Sequence, residues 1–198
     1  MIYSIIRVVS KPYFHIAHGL TITGHDNIPT SGPVILCANH SSWFDSILLG
    51  LCSPRQVRFL VDHAFYRHPF LGFVIKACKG IPISQRMDKE AISAAMKALR
   101  SHSVLGIFPE GRLTNDGRLK PAKTGAAWLA AAAEAPIVPV SISGAFCVFP
   151  KGKLLPGRGN ISVHVHPPVK VDPDGKRDKE YLRVITENVM ARIGGGVG

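Results

Sequence analysis

Apolar residues along the chain form short β-branched runs that alternate with longer stretches of helical periodicity. The short runs predict strands at residues 34–38, 57–61, 80–83, 104–108, 137–142 and 161–166. The longer stretches predict helices at residues 43–51, 63–78, 89–102, 122–135 and 179–193. This alternation predicts a single layered α/β domain over residues 21–193, with a mostly parallel or mixed sheet flanked by helices. In such sheets, functional sites lie in the loops beyond the strand ends.

The first 20 residues predict a separate amphipathic helix ahead of this domain. Its basic residues recur at spacings of four, four and three, which places Arg7, Lys11, His15 and His18 on one face. Apolar side chains cover most of the remainder, namely Ile2, Ile5, Ile6, Val9, Tyr13, Phe14 and Ile16. This pattern is typical of a helix in the membrane interface, although the segment is too interrupted to span a bilayer. A first helix packed on the core, with a kink at Pro12, is a compatible alternative.

Composition adds a preference for phosphate and for lipid. The 198 residues carry a net charge of +11, 46% of them are hydrophobic, and the mean hydropathy is +0.16. Such a basic chain attracts nucleic acid, anionic lipid or phosphorylated small molecules, and the charge alone does not choose among them. The four cysteines are widely spaced without a C-x-x-C pair, which predicts reduced thiols in the cytosol. The glycine-rich residues 194–198 predict a flexible tail.

The first candidate for chemistry follows the predicted strand at residues 34–38. His40 and Asp45 lie five residues apart at a strand-to-helix turn, so the chain can fold back and bring the carboxylate onto one ring nitrogen. The other nitrogen would then take a proton from a substrate hydroxyl. The structural alternative is that Asn39 or Ser41 caps the next helix and His40 forms only local hydrogen bonds.

Two further polar segments follow strands that can end at the same edge. Residues 108–114 supply an acid, a flexible glycine, a guanidinium and a hydroxyl, namely Glu110, Gly111, Arg112 and Thr114. Arginine can hold a phosphate through two hydrogen bonds, although the Asn-Asp-Gly run at residues 115–117 also favours a simple turn. Arg86 ends the loop after residues 80–83 and is either a phosphate ligand or a surface charge. Pro139 lies inside a predicted strand, which indicates an edge strand or a bulge.

Other catalytic classes lack their motifs. The chain has no G-x-S-x-G, no G-x4-G-K-[ST] and no G-x-G-x-x-G sequence, which argues against common serine hydrolases and nucleotide-binding folds. His164 and His166 share one face of a strand without a nearby acidic or cysteine partner in sequence, so no metal site is predicted.

Taken in order, four segments resemble the signature of the glycerolipid acyltransferase family, which includes 1-acylglycerol-3-phosphate acyltransferases. That signature reads N-H-x4-D, G-x-[IVP]-x-x-x-R, F-P-E-G-[TR]-x-[ST] and V-P-[VI]. The matching segments here are residues 39–45, 80–86, 108–114 and 138–140. The resemblance covers about residues 20 to 170, and four motifs in the correct order favour the functional interpretation of the first two segments.

The resemblance implies that His40 is the general base and that Asp45 orients it. The acceptor hydroxyl of a lysophospholipid would attack the thioester of acyl-CoA or acyl-carrier protein directly, without a metal or organic cofactor. Arg86, Glu110, Gly111, Arg112 and Thr114 would form the acceptor site. Since such substrates lie in a bilayer and the N-terminal helix is amphipathic, we predict a peripheral or monotopic protein on the cytoplasmic face of the membrane, with no nucleic-acid partner.

One departure from the common motif affects the choice of acceptor. The usual sequence is E-G-T-R-S, whereas Leu113 occupies the arginine position here and Arg112 precedes it. The E-G-R-x-T form resembles domains that reacylate 2-acylglycerophosphoethanolamine, so this acceptor is the alternative to 1-acylglycerol-3-phosphate. Two rival classes stay open: a basic module that binds nucleic acid or membrane without catalysis, and a thioesterase in which His40 and Asp45 activate water.

Overall fold

The computed structural model describes residues 2–84 and 88–197. Within these residues, seven strands form one mixed sheet in the order β1-β7-β6-β2-β5-β3-β4. The strands are β1 (Thr21–Thr23), β2 (Val34–Ala38), β3 (Val57–Asp62), β4 (Ile81–Ile83), β5 (Val104–Ile107), β6 (Ile137–Ser143) and β7 (Ser162–Val165). The strands from β6 to β4 run parallel to one another, whereas β7 is antiparallel to β6 and β1 is parallel to β7. The predicted α/β layering with a mixed sheet is confirmed.

Helices cover both faces of the sheet. They are α1 (Ile2–His18), α2 (Asp45–Cys52), α3 (His63–Arg67), α4 (Pro69–Ala77), α5 (Lys89–Arg100), α6 (Gly125–Ala133), α7 (Ala145–Val148) and α8 (Lys179–Gly195). Alternate residues of β2 contact the two layers, because successive side chains of a strand point to opposite faces. Leu36 packs with Phe14 of α1 and the leucines of α2, whereas Ile35 packs with α5, α6 and α8. All five residues of β2 are buried, as expected for a central parallel strand.

Several predicted boundaries needed correction. The single helix predicted at residues 63–78 is two helices, because Pro69 disfavours helical geometry at His68, which is extended with ψ of 131°. The helix predicted from residue 122 begins at Gly125, since the Lys123 N–H donates to the Pro109 carbonyl instead. Strand β1 and helix α7 were missed, because three or four residues are too few to show a period. Helix α8 includes Gly194 and Gly195, so a tail cannot begin at residue 194.

Pro139 lies in an interior strand, not at an edge. Strand β6 pairs with β2 on one side and with β7 on the other. The Pro139 carbonyl accepts a hydrogen bond from the His166 N–H at 2.9 Å, at the point where β7 has just ended at Val165. Its missing N–H therefore faces the end of a strand and removes no regular ladder bond.

The N-terminal segment forms one helix, with Pro12 inside it, and one face of this helix packs on the core. Phe14 is buried against the core. His18 is also buried, which corrects its predicted place in an open basic stripe, because its ring packs among aromatic side chains that include Phe44. The opposite face keeps large apolar side chains in solvent, namely Ile5, Val8, Val9 and Ile16. Among the residues that the structure describes, no helix combines the length and apolar character needed to cross a bilayer.

Gly106 in β5 leaves space that the Phe59 ring occupies. A methyl group on Gly106 would come within 2.6 Å of the Phe59 ring and 2.8 Å of Val57 Cγ1. The G106A variant should therefore lose about 1–3 kcal/mol of unfolding free energy, measured by urea denaturation. The control is G195A, whose added methyl meets open space and should leave stability unchanged or slightly raised. Equal midpoints for G106A and wild type would show that the Phe59 ring yields to the added methyl at no cost, contrary to this expectation.

Candidate active site

The two polar segments that follow β2 and β5 meet at one edge of the sheet. Parallel strands β2 and β5 are neighbours, so the residues that leave their carboxyl ends emerge side by side. The His40 N–H donates to Glu110 Oε1 at 2.8 Å, and the Thr114 N–H donates to the His40 carbonyl at 2.9 Å. These bonds join the two candidate segments into one site.

His40 and Asp45 form a hydrogen-bonded pair. The distance from His40 Nδ1 to Asp45 Oδ2 is 2.9 Å, and the carboxylate partner assigns the proton to Nδ1. Nε2 is then an acceptor, and no described residue forms a hydrogen bond to it. The His40 side chain is 21% exposed and the Asp45 side chain is fully buried. A ring held in this way can accept a proton from a hydroxyl group at Nε2.

A single oxygen of Asp45 also holds the turn that carries the histidine. Oδ2 accepts the Ser41 N–H at 2.6 Å and the Ser42 N–H at 2.7 Å, in addition to the His40 ring. Burial raises the pKa of the Asp45 carboxyl, while these three donors act in the opposite direction. The carboxylate is therefore the centre around which residues 40–45 fold.

The capping alternative for this turn is wrong. Helix α2 begins after Phe44, and no side chain caps it. Asn39 instead bonds to both backbone groups of Ile142 on β6, donating from Nδ2 to the carbonyl at 2.9 Å and accepting at Oδ1 from the N–H at 2.8 Å. The asparagine thus extends the pairing of β2 with β6 beyond the end of the strand and fixes the position from which His40 emerges.

An aromatic stack fixes the plane of the histidine ring. The His40 and Phe108 rings are nearly parallel, with 4.0 Å between centroids and 13° between planes. Phe59 continues the stack, 6.2 Å beyond Phe108. Sequence reasoning missed this role, since Phe108 looked like the last residue of a strand and nothing in its spacing indicated a ring contact.

Glu110 bridges two backbone segments. Its Oε1 accepts the His40 N–H, and its Oε2 accepts the Lys120 N–H at 2.8 Å. The side chain is buried, and burial raises its pKa, while the two amide donors oppose that shift. Gly111 follows with a φ of 72°, a left-handed conformation that favours glycine and turns the chain away. Both carboxylate oxygens of Glu110 are thus engaged with backbone.

The rest of the loop presents cations at the rim of the site. Arg112 is exposed and forms no ion pair with any described residue. The Lys123 ammonium lies close to Gly111, where an added methyl group would be 3.2 Å from Nζ. Thr114 is buried, and its hydroxyl donates to Asp116 Oδ1 at 2.5 Å. The loop therefore contains both the predicted turn and two outward cations.

Not every predicted site residue can be located. Arg86 lies outside the described residues, so its part in the site stays a prediction. Ser41, Ser42 and Lys120 contribute through backbone N–H groups, a role that side-chain identity does not reveal.

Three proteins illustrate what this chain is similar to. The chain is similar to a 1-acyl-sn-glycerol-3-phosphate acyltransferase of Bacillus subtilis, with 26% identity over 88% of this chain and 86% of the relative. A protein of the same name from Borreliella burgdorferi is 27% identical over 88% of this chain and 71% of its own length. The crystal structure of the 1-acyl-sn-glycerophosphate (LPA) acyltransferase PlsC from Thermotoga maritima superposes with a TM-score of 0.80 and 28% identity, covering 96% of this chain and 77% of that one.

The family profile named Acyltransferase matches residues 19–143, which include β2, β5, the His40–Asp45 pair and the loop of Glu110. The match covers well over half of the 198 residues. The enzyme class expected from the four motifs is confirmed, and the chain belongs to the acyltransferase family.

Proposed function

We propose that this protein transfers a fatty acyl group from acyl-CoA or acyl-carrier protein to the free hydroxyl of 1-acylglycerol-3-phosphate, giving phosphatidate. The observation that carries this proposal is the 2.9 Å hydrogen bond from His40 Nδ1 to buried Asp45, which leaves Nε2 as an acceptor. The names of the Bacillus and Borreliella relatives support the choice of acceptor.

His40 acts as the general base. Nε2 takes the proton of the acceptor hydroxyl while the oxygen of that hydroxyl attacks the carbonyl carbon of the thioester. The C–S bond then breaks, its electron pair goes to sulfur, and the imidazolium returns the proton to the thiolate. Asp45 stabilises the imidazolium and keeps Nε2 directed away from the carboxylate. A positioned base supplies about 10²–10⁴-fold, so the remaining acceleration comes from holding both substrates together.

Glu110 serves this reaction through His40. Since both of its oxygens accept backbone N–H groups, it holds the loop that carries the base and leaves recognition of the phosphate to other residues. Arg112 is exposed at the rim and forms a charge-assisted contact with the acceptor phosphate in this proposal. Arg86 is assigned the same partner on the family resemblance alone.

The acceptor and product are lipids, so the enzyme is also proposed to act at the cytoplasmic face of a membrane. The support is the set of aliphatic side chains that α1 leaves in solvent, among which Val8 is 73% and Ile16 is 87% exposed. Phe14 anchors the same helix in the core. Deletion of residues 1–20 would therefore confound membrane release with unfolding, and point substitutions are the cleaner test.

The H40A variant should lose at least 10²-fold in acceptor-dependent thiol release while remaining folded, as checked by circular dichroism. The measurement is thiol release from palmitoyl-CoA in the presence of lysophosphatidate. The matched control is H25A, which removes an exposed histidine that pairs with Asp26. Wild-type activity in a folded H40A variant would exclude the general-base role.

The E110Q variant tests positioning against substrate contact. An amide oxygen can accept only one of the two N–H groups, and the amide NH₂ then faces a donor, which costs about 1–3 kcal/mol. We expect kcat to fall about tenfold or more with an unchanged KM for the acceptor. The control is E134Q, at an exposed glutamate that ends α6. A raised KM with unchanged kcat would instead place Glu110 against the acceptor.

The R112A variant tests the acceptor phosphate. Loss of a charge-assisted hydrogen bond should raise the KM for lysophosphatidate about tenfold, whereas R100A on α5 should have no effect. Leu113 at the usual arginine position favours 2-acylglycerophosphoethanolamine as the second candidate acceptor. A higher kcat/KM for lysophosphatidylethanolamine in the wild type would establish that alternative, and thiol release independent of any acceptor would indicate a thioesterase.

A further inference from the structure

Helices α3 and α4 carry apolar side chains that the core does not bury. None of the α3 residues is buried, and Gly72 is the buried residue of α4. Phe70 is 78% exposed and Phe73 is 64% exposed, on a helix composed largely of apolar residues. Two phenylalanine side chains on one short helix thus lack the burial that normally stabilises them. Exposed apolar patches of this kind mark interaction surfaces.

This surface adjoins the catalytic turn. Phe65 of α3 packs edge-to-face on Trp43, with 5.8 Å between ring centroids. The next residue of the turn, Phe44, packs on Phe14 of α1 at 4.8 Å. Helices α1 and α3 therefore dock on two consecutive residues between His40 and Asp45, and α4 also contacts α1.

Charge selects the occupant of this surface. Residues 63–80 contain Arg67, Lys76 and Lys79 and no acidic residue. Arg67 and Lys76 are exposed, each three residues along the chain from one of the phenylalanines, and the acidic residue Asp62 lies at the start of α3. Exposed aromatic side chains flanked by cations fit a bilayer that has an anionic surface and an apolar interior. A bilayer also meets the adjacent outward face of α1, which has the same apolar character.

We propose that α3 and α4 form a second lipid-contacting element, in which Phe70 and Phe73 enter the interface of an anionic bilayer beside the active site. The inference rests on the proposed lysophospholipid acceptor for its purpose, because two lipid contacts on either side of the turn hold His40 at the membrane surface. The acceptor hydroxyl then reaches Nε2 without the lipid leaving the bilayer.

The first experiment measures partition of the full chain onto vesicles of phosphatidylcholine with phosphatidylglycerol, by sedimentation. The F70Q/F73Q variant keeps good helix formers and should lower the partition coefficient about tenfold or more. The control is V184Q on α8, whose Val184 is 49% exposed. Helix α8 packs in the core layer on the opposite face of the sheet from α1, so V184Q should bind as wild type.

A second experiment reports contact directly. The F70W variant should show tryptophan fluorescence quenching by brominated lipid beyond that of the wild type, whose Trp43 and Trp128 set the background. V184W should add no quenched component. Absence of extra quenching in F70W would place the helix away from the bilayer and overturn the proposal.

Three further outcomes would also overturn it. The first is that F70Q/F73Q binds the vesicles as the wild type does, whereas V8Q/I16Q on α1 does not bind them. This result would leave α1 as the lipid contact. The second is unchanged partition with lost transfer to a water-soluble short-chain acceptor, which would place α4 in the substrate site. The third is a wild-type dimer in solution that F70Q/F73Q dissociates. Failure of acyl transfer with every acceptor would refute the proposed function without altering any of these binding results.

Discussion

One buried carboxylate oxygen organises the site. Asp45 Oδ2 accepts hydrogen bonds from His40 Nδ1 and from the N–H groups of Ser41 and Ser42. The side chain therefore defines both the shape of the turn and the tautomer of His40. A carboxylate in a dry environment is stable only when it is well hydrogen-bonded. The same contacts that partly offset its burial also aim Nε2 outward, so the folding of the turn and the orientation of the His40 ring depend on one group.

The order of the strands places the turn at residues 40–45 next to the loop that carries Glu110. Because β2 and β5 are parallel neighbours, the turn that carries His40 and the loop that carries Glu110 emerge at the same edge. Glu110 then joins the His40 backbone to Lys120, and Phe108 stacks on the imidazole. The His40 ring is thus fixed by the hydrogen bond to Asp45 and by the stack on Phe108, while the hydrogen bond from its backbone N–H to Glu110 fixes the main chain. Each constraint restricts a different motion, so the proposed general base is held in one orientation before substrate arrives.

Much of this was predictable from local signals. The apolar runs predicted the interior strands to within one or two residues, because a parallel strand that is buried on both faces appears in the sequence as a continuous apolar run. The His40–Asp45 spacing and the strand-end positions indicated the site. Contacts that depend on tertiary placement were not predictable: the stack of Phe108, the bridge made by Glu110, and the burial of His18. The prediction of an edge strand or bulge at Pro139 was wrong because the missing N–H faces the end of β7, and this position depends on the order of the strands in the sheet.

In the proposed mechanism, the turn at residues 40–45 also connects the base to the membrane surface at which the lipid acceptor resides. Trp43 and Phe44 lie between the base and its carboxylate, and each supports a helix that keeps apolar side chains in solvent. A lysophospholipid cannot move far from a bilayer without exposing its acyl chain, at a cost of about 0.8 kcal/mol per methylene. An enzyme with its base at the interface avoids that cost, because only the headgroup has to rise to Nε2. In the proposed orientation, Trp43 and Phe44 therefore have a physical role within the motif: they support the two helices that would set the depth of His40 at the membrane surface.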